Sequence, residues 1–223
     1  MNEECTRAGI SKEDIQTGAV IVTGETAKKH NAKEIAQALS ENSGKFVAAT
    51  AGPNFESLLA AMGSGATARS KETGKTILSC DIGGGTSNLA VSVNGEVVST
   101  SCISVGGRLI SINPEGKISR LSEPAQKVME HMGLPYKPGD RIQKEDIGKI
   151  ASGLAGALIE VMTGPANSSL ARQLMMTENL NIPETVDEYS FSGGVAEFIY
   201  GATGFTAISE RLFPIKSFLC CLN

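Results

Sequence analysis

Apolar positions along the chain switch between two spacings, and the switches outline an alternation of strands and helices. Ala19, Val20, Ile21, Val22 and Thr23 form a short β-branched run between glycines, which predicts a buried strand. Asn31 is a good helix cap, and Ala32, Ile35, Ala36 and Leu39 follow at helical spacing until Gly44 can end the helix. Residues 46–50 read as a second strand. A Gly-Pro pair then precedes a second helix over about 53–62. The first ten residues or so are expected to be a frayed start. Strand, helix, strand, helix, strand is an α/β order, in which helices cover at least one sheet face.

Beyond residue 75 the pattern changes. Residues 76–81 predict a strand, and Leu89, Val91 and Val93 alternate with small or polar residues, the spacing of a half-buried strand. Asn94-Gly95 is a strong two-residue hairpin turn leading into a strand over 96–100. Residues 76 to about 105 are therefore expected to form an antiparallel meander. A further hairpin is predicted around Asn113, Pro114, Glu115 and Gly116. Helices then return. Pro124 suits a first helical turn and Gly133 its end. Ile147, Ile150, Ala151, Leu154, Leu158, Val161 and Met162 share one face of the longest helix, which Gly164-Pro165 stops. A weaker helix spans roughly 168–176. Residues 188–191 then lead as a short strand into Ser192-Gly193-Gly194 and another helix start.

Composition adds exclusions. Hydrophobic residues make up 41% of the 223, enough for a core, but with 4% aromatics and no Trp that core must be built of Ala, Val, Ile and Leu. A net charge of −4 leaves no basic footprint for nucleic acid or an anionic membrane. No apolar run has the length of a membrane span, and the N-terminus lacks a signal-peptide pattern. Cys5, Cys80, Cys102, Cys220 and Cys221 make no CxxC pair and no metal spacing with His30 or His131. They read as reduced thiols of a cytoplasmic protein.

The chemistry concentrates at residues 80–91, C-D-I-G-G-G-T-S-N-L-A-V. A dinucleotide fingerprint needs its glycines between a strand and a helix, whereas Gly83, Gly84 and Gly85 lie between two strands. A P-loop needs G-x-x-x-x-G-K-[ST] after a strand. Gly74-Lys75-Thr76 has the last three letters, but Arg69 stands at the first glycine and the triplet precedes a strand. What remains is Asp-x-Gly-Gly-Gly-Thr in a β-hairpin. Glycines without Cβ atoms let successive backbone N–H groups approach phosphate oxygens. The Asp81 carboxylate can hold a hydrated Mg²⁺ at the same edge, and Thr86 adds a hydroxyl.

This segment resembles the second phosphate loop of the actin-like ATPase superfamily. Residues 51–56, A-G-P-N-F-E, are similar to the end of its first connecting segment, and S-G-G-V at 192–195 to its adenosine loop. Taken with V-T-G-E-T-A-K-K-H-N-A, A-T-A-G-P-N-F-E-S, S-V-G-G-R-L and L-S-E-P, the chain resembles the ethanolamine ammonia-lyase reactivating factors, the EutA family, from about Gly18 to about Ile199. The resemblance implies an actin-like (ribonuclease H-like) α/β fold with mixed sheets flanked by helices. It implies an ATP-dependent chaperone that exchanges inactive cobalamin for adenosylcobalamin on the lyase during ethanolamine catabolism. ATP or ADP, Mg²⁺ and the lyase are the implied partners, cobalamin only through the lyase. The setting is the bacterial cytoplasm, near the ethanolamine-utilisation microcompartment.

On this resemblance Asp81 serves Mg²⁺, Gly83, Gly84, Gly85 and Thr86 the phosphates, and Gly193 and Gly194 the adenosine. Glu56 has two readings. It positions the attacking water, or it is a first-turn glutamate favoured by the helix dipole. Gly106-Gly107-Arg108 either approaches the phosphates or turns the strand, the turn being favoured, and Lys28, Lys29 and His30 read as a solvated face. A first phosphate loop before Ala19 and a helix beyond the adenosine loop are not found, so the chain is expected to be truncated at both ends and to lack a complete ATPase site. The expected divisions are a frayed segment at 1–18, the rest of a first lobe at 19–75, a second lobe at 76–205 and a tail at 206–223. A non-catalytic actin-like scaffold and a small-molecule kinase of the same superfamily are the competing readings.

Overall fold

The computed structural model of the chain describes residues 2–11, 14, 17–22, 45–50, 52–183 and 185–201. The helix expected over 31–44, the Lys28-Lys29-His30 cluster and the tail at 206–223 lie outside them. The chain divides into two compact units, Met1–Gly52 and Pro53–Asn223.

In the first unit α1 (Asn2–Ala8) stands where a frayed start is expected. Glu3 and Glu4 occupy its first turn and Arg7 its last, charges that suit the helix dipole. Arg7 also pairs with Glu4 at 3.2 Å. Seven residues are too few to display a helical period, which is why the pattern is silent there. β1 (Thr17–Val22) and β2 (Lys45–Thr50) pair in parallel, in register from Thr17 opposite Lys45 to Val22 opposite Thr50.

The second unit opens with α2 (Pro53–Gly63) and α3 (Ala66–Thr73). β3 (Ile77–Ile82), β4 (Ser87–Val93) and β5 (Glu96–Ile103) then form the expected antiparallel meander. Its second turn is the two-residue hairpin the sequence predicts, with Asn94 at φ 49° and Gly95 at φ 86°. β6 (Ile110–Ile112) and β7 (Ile118–Leu121) make the further hairpin. α4 (Glu123–His131), α5 (Lys144–Thr163) and α6 (Ser169–Leu174) follow. β8 (Glu188–Ser192) adds to the meander as a parallel neighbour of β3, giving the order β5-β4-β3-β8, and α7 (Ala196–Ile199) comes after it. The mixed α/β class with a mixed sheet and flanking helices is the one expected.

The two faces of this sheet differ in chemistry. Leu78, Cys80, Ile82, Leu89, Val91 and Ile103 belong to one apolar cluster with Ile150, Leu154, Leu158, Val161 and Met162 of α5. The alternate positions, among them Ser79, Asn88, Ala90 and Ser92, are small or polar yet also buried. α2 and α3 lie against them: Ser57 Oγ donates to the Ser101 carbonyl at 2.9 Å and lies 3.4 Å from Asn88 Oδ1, and Thr67 Oγ1 is 3.3 Å from Ser92 Oγ. The half-buried pattern expected for β4 is thus corrected. Small side chains there admit a second helical layer, so Ser87 through Ser92 are buried on both faces.

Candidate functional site

Asp81 lies near the end of β3, directly opposite Ser192 of the parallel β8. The glycine run after β3 and Gly193-Gly194 after β8 therefore leave the sheet at the same edge. That is where open α/β sheets take ligands, outside the carboxyl ends of parallel strands. Val195 N–H donates to the Ile82 carbonyl at 3.2 Å and ties the two loops together. Gly193 has φ +81°, and a Cβ there would lie 2.3 Å from Asp81 Oδ1 and 2.5 Å from the Ile82 oxygen. Gly193 is needed for both reasons. Gly194 differs, because a Cβ on it would meet nothing within 4 Å.

Within the hairpin, Gly83 N–H donates to the Thr86 carbonyl at 3.0 Å. Among the described residues no backbone carbonyl accepts from the N–H of Gly84, Gly85 or Thr86, so three successive donors are unengaged. The glycines do not serve an unusual backbone conformation, for none of Gly83, Gly84 and Gly85 has positive φ. Nor does packing exclude a side chain at 83 or 84, where a Cβ would stand 3.5 Å from its nearest neighbour. Gly84 is exposed, so its donor is open to approach, while Gly106 packs near the Gly85 nitrogen. Thr86 is buried where the loop enters β4.

Gly106-Gly107-Arg108 is a support for this loop. Gly107 N–H donates to Gly83 O at 2.9 Å and Arg108 N–H to Gly84 O at 2.7 Å, so these amides are engaged within the protein. A Cβ on Gly106 would fall 2.6 Å from both the Gly84 carbonyl carbon and the Gly85 nitrogen. The sequence favours a turn here over an approach to the phosphates, and does not display the packing of Gly106 on Gly84 and Gly85. The only signal for it was a second glycine pair after a strand.

Asp81 is half-buried, and burial raises its carboxyl above the ordinary carboxylate range. Burial is the sole cause of that shift, with no hydrogen bond to offset it. Among the described residues no group of three or more His, Cys, Asp or Glu could hold a metal ion. A cation beside Asp81 would draw its remaining ligands from water and phosphate, which suits Mg²⁺. Glu56, partly buried on the first turn of α2, precedes Ser57. Ser57 approaches Asn88, the cross-strand neighbour of Asp81, so α2 covers the sheet face that alternation assigns to Asp81.

The P-loop-like triplet resolves into structure. Gly74 is the left-handed cap of α3, at φ 69°. Lys75 Nζ meets Glu188 Oε1 at 2.5 Å, while Arg69 Nε meets Oε2 at 2.6 Å. Arg69 and then Lys75 draw the Glu188 carboxyl down to about 2, from 4.5. The folded value lies below the unfolded one, so this pairing stabilises above the unfolded value and is lost as pH falls toward about 2. Carbon-detected NMR titration is expected to find Glu188 ionised where other glutamates have protonated. A midpoint in the ordinary range would contradict the pairing. Cys5, Cys80 and Cys102 are buried, and burial chiefly raises the Cys80 thiol well above its usual range.

The full sequence matches the family described as "Ethanolamine utilisation protein EutA" over residues 1–210. The chain belongs to the EutA family. It is 39% identical over 190 residues to the ethanolamine ammonia-lyase reactivase EutA of Salmonella typhimurium, covering 85% of this chain and 40% of that protein. With the Escherichia coli protein of the same description it shares 35% identity over 195 residues, 87% of this chain and 42% of the relative. The chain thus spans about two fifths of these EutA family members. Among solved structures, MreB 5 of Spiroplasma citri bound to AMPPNP covers 92% of the chain and 65% of its own, at TM-score 0.40 and 14% identity. The ethanolamine utilization protein EutJ of Carboxydothermus hydrogenoformans covers 92% and 63%, at TM-score 0.38 and 17% identity. No described helix is long and apolar enough to cross a membrane.

Proposed function

We propose that the edge formed by Asp81, residues 83–86 and Gly193-Gly194 binds ATP with Mg²⁺, within an ATP-dependent chaperone for ethanolamine ammonia-lyase. The observation that carries this reading is the run of three unengaged N–H groups at 84–86, with the half-buried Asp81 carboxylate at the same strand ends. Backbone donors in succession suit phosphate oxygens. Asp81 would hold Mg²⁺, which supplies neutralisation of phosphate charge. Gly194, bare and open, would lie against adenosine. Glu56 is the candidate to orient water for in-line attack.

The family membership and the reactivase description of two relatives support the cellular role. In that role the protein releases inactive cobalamin from ethanolamine ammonia-lyase so that adenosylcobalamin can bind, in the bacterial cytoplasm at the ethanolamine-utilisation microcompartment.

Titration with ATP, with and without Mg²⁺ and followed by amide NMR, is expected to shift Gly84, Gly85, Thr86 and Gly194 selectively. D81N is expected to lose the magnesium-dependent gain, about tenfold in affinity. Absence of shifts at those amides sinks the nucleotide reading. ATP binding without nucleotide-dependent capture of ethanolamine ammonia-lyase carrying inactive cobalamin would favour the scaffold reading instead.

A further inference from the structure

We infer that Arg108 is a phosphate-binding residue of this site, an assignment that rests on the nucleotide reading above and extends it to a side chain outside the glycine hairpin. The backbone of Arg108 is held from two sides. Its N–H donates to Gly84 O at 2.7 Å, and its own carbonyl accepts from the Arg120 guanidinium. The stem of its side chain passes over the bare face of Gly84, with Cδ, Cβ and Cγ 3.5, 3.6 and 3.7 Å from where a Cβ on that glycine would stand. The residue is nevertheless exposed, and among the described residues no carboxylate lies within ion-pair distance of its guanidinium. Arg69 and Arg7, by contrast, pair with Glu188 and Glu4.

A held backbone beside a cation with no ion-pair partner is an arrangement that can receive an anion. The hairpin to which its backbone is bonded and over which its stem passes carries the unengaged run at 84–86, which presents donors and no charge. An anion seated there would receive backbone hydrogen bonds from the hairpin and a planar guanidinium from the segment after β5. Arginine matches phosphate in a two-point fork, which lysine cannot reproduce. The chemical class of the ligand is therefore a phosphate ester or polyphosphate. The contact also gives the support segment 106–108 a second role, because the same short stretch shapes the loop and supplies its charge.

The test compares wild type, R108A and R108K with three probes, ATP, inorganic tripolyphosphate and adenosine, by equilibrium titration, with amide spectra as the control for folding. R108A is expected to weaken ATP and tripolyphosphate about tenfold or more while leaving adenosine unchanged. R108K is expected to recover part of the loss, because charge returns without the fork. Equal affinity of R108A and wild type for ATP and tripolyphosphate overturns the assignment and leaves the nucleotide reading standing. An equal loss for adenosine would mean that Arg108 serves only the loop's shape, which also overturns it. Failure of wild type itself to bind ATP or tripolyphosphate overturns both readings.

Discussion

Replacing Gly193 by alanine is expected to destabilise the second unit by about 2–5 kcal/mol and to abolish nucleotide binding in whatever folded protein remains. Two costs combine. A residue with a side chain at φ +81° pays roughly 1–2 kcal/mol for the left-handed conformation. The added Cβ also lies 2.3 Å from Asp81 Oδ1 and 2.5 Å from the Ile82 carbonyl oxygen. Ile82 O is backbone at the end of a central strand and accepts from Val195 N–H, so it cannot yield without unpicking β3 from the β8 turn. Overpacking of this kind costs about 1–3 kcal/mol more. Relief by rotating Asp81 would move the carboxylate proposed to hold Mg²⁺. Urea denaturation of G193A measures the first effect and ATP titration the second. G194A is the control: nothing lies within 4 Å of its Cβ, so its stability is expected to match wild type. An unchanged denaturation midpoint for G193A would show that the two loops are not packed as described.

Replacing Gly106 by alanine is expected to cost about 3 kcal/mol, through overpacking and the hydrogen bonds it disturbs. The three atoms nearest its Cβ are all main chain, with Gly84 C and Gly85 N at 2.6 Å and Gly84 O at 2.7 Å. No rotamer change relieves such a contact. The hairpin must move away, and the bonds from Gly107 N–H to Gly83 O and from Arg108 N–H to Gly84 O stretch with it. G84A provides the comparison. The atoms nearest its Cβ belong to the Arg108 stem, at an ordinary contact distance of 3.5 Å, so it is expected to fold normally and to lose ATP affinity. If G84A is the less stable of the two, these roles are reversed and the account of the loop is wrong.

These two glycines show how far the site was legible. D-I-G-G-G-T marks itself by composition and by its place between two strands, and S-G-G-V by its place between a strand and a helix. Neither motif says why each glycine is there. Gly193 and Gly106 answer to atoms supplied by other segments, whereas Gly83 and Gly84 are little constrained by the protein and remain open to a ligand. Arg108 shows the same limit, because the sequence favours a turn at 106–108 over a phosphate contact. A single arginine after two glycines has no spacing to interpret until its stem is seen across Gly84. The two-sided burial of β4 was equally hidden, because Ser79, Asn88 and Ser92 look like a solvated face unless a helix carrying Ser57 and Thr67 is placed against them.

By itself the sequence determined what depends on neighbours a few residues apart: the order of strands and helices in the second unit apart from α3, the Asn94-Gly95 turn, the long α5, and a glycine hairpin that is neither a P-loop nor a dinucleotide fingerprint. Tertiary structure alone decided that β8 would lie parallel to β3, that Gly193 would close on Asp81, and that Gly106 would support the hairpin from the far side. Local periodicity reports which face of an element is apolar. Which distant segment covers that face is settled by close packing, where a contact between main chains admits glycine and excludes even a methyl group.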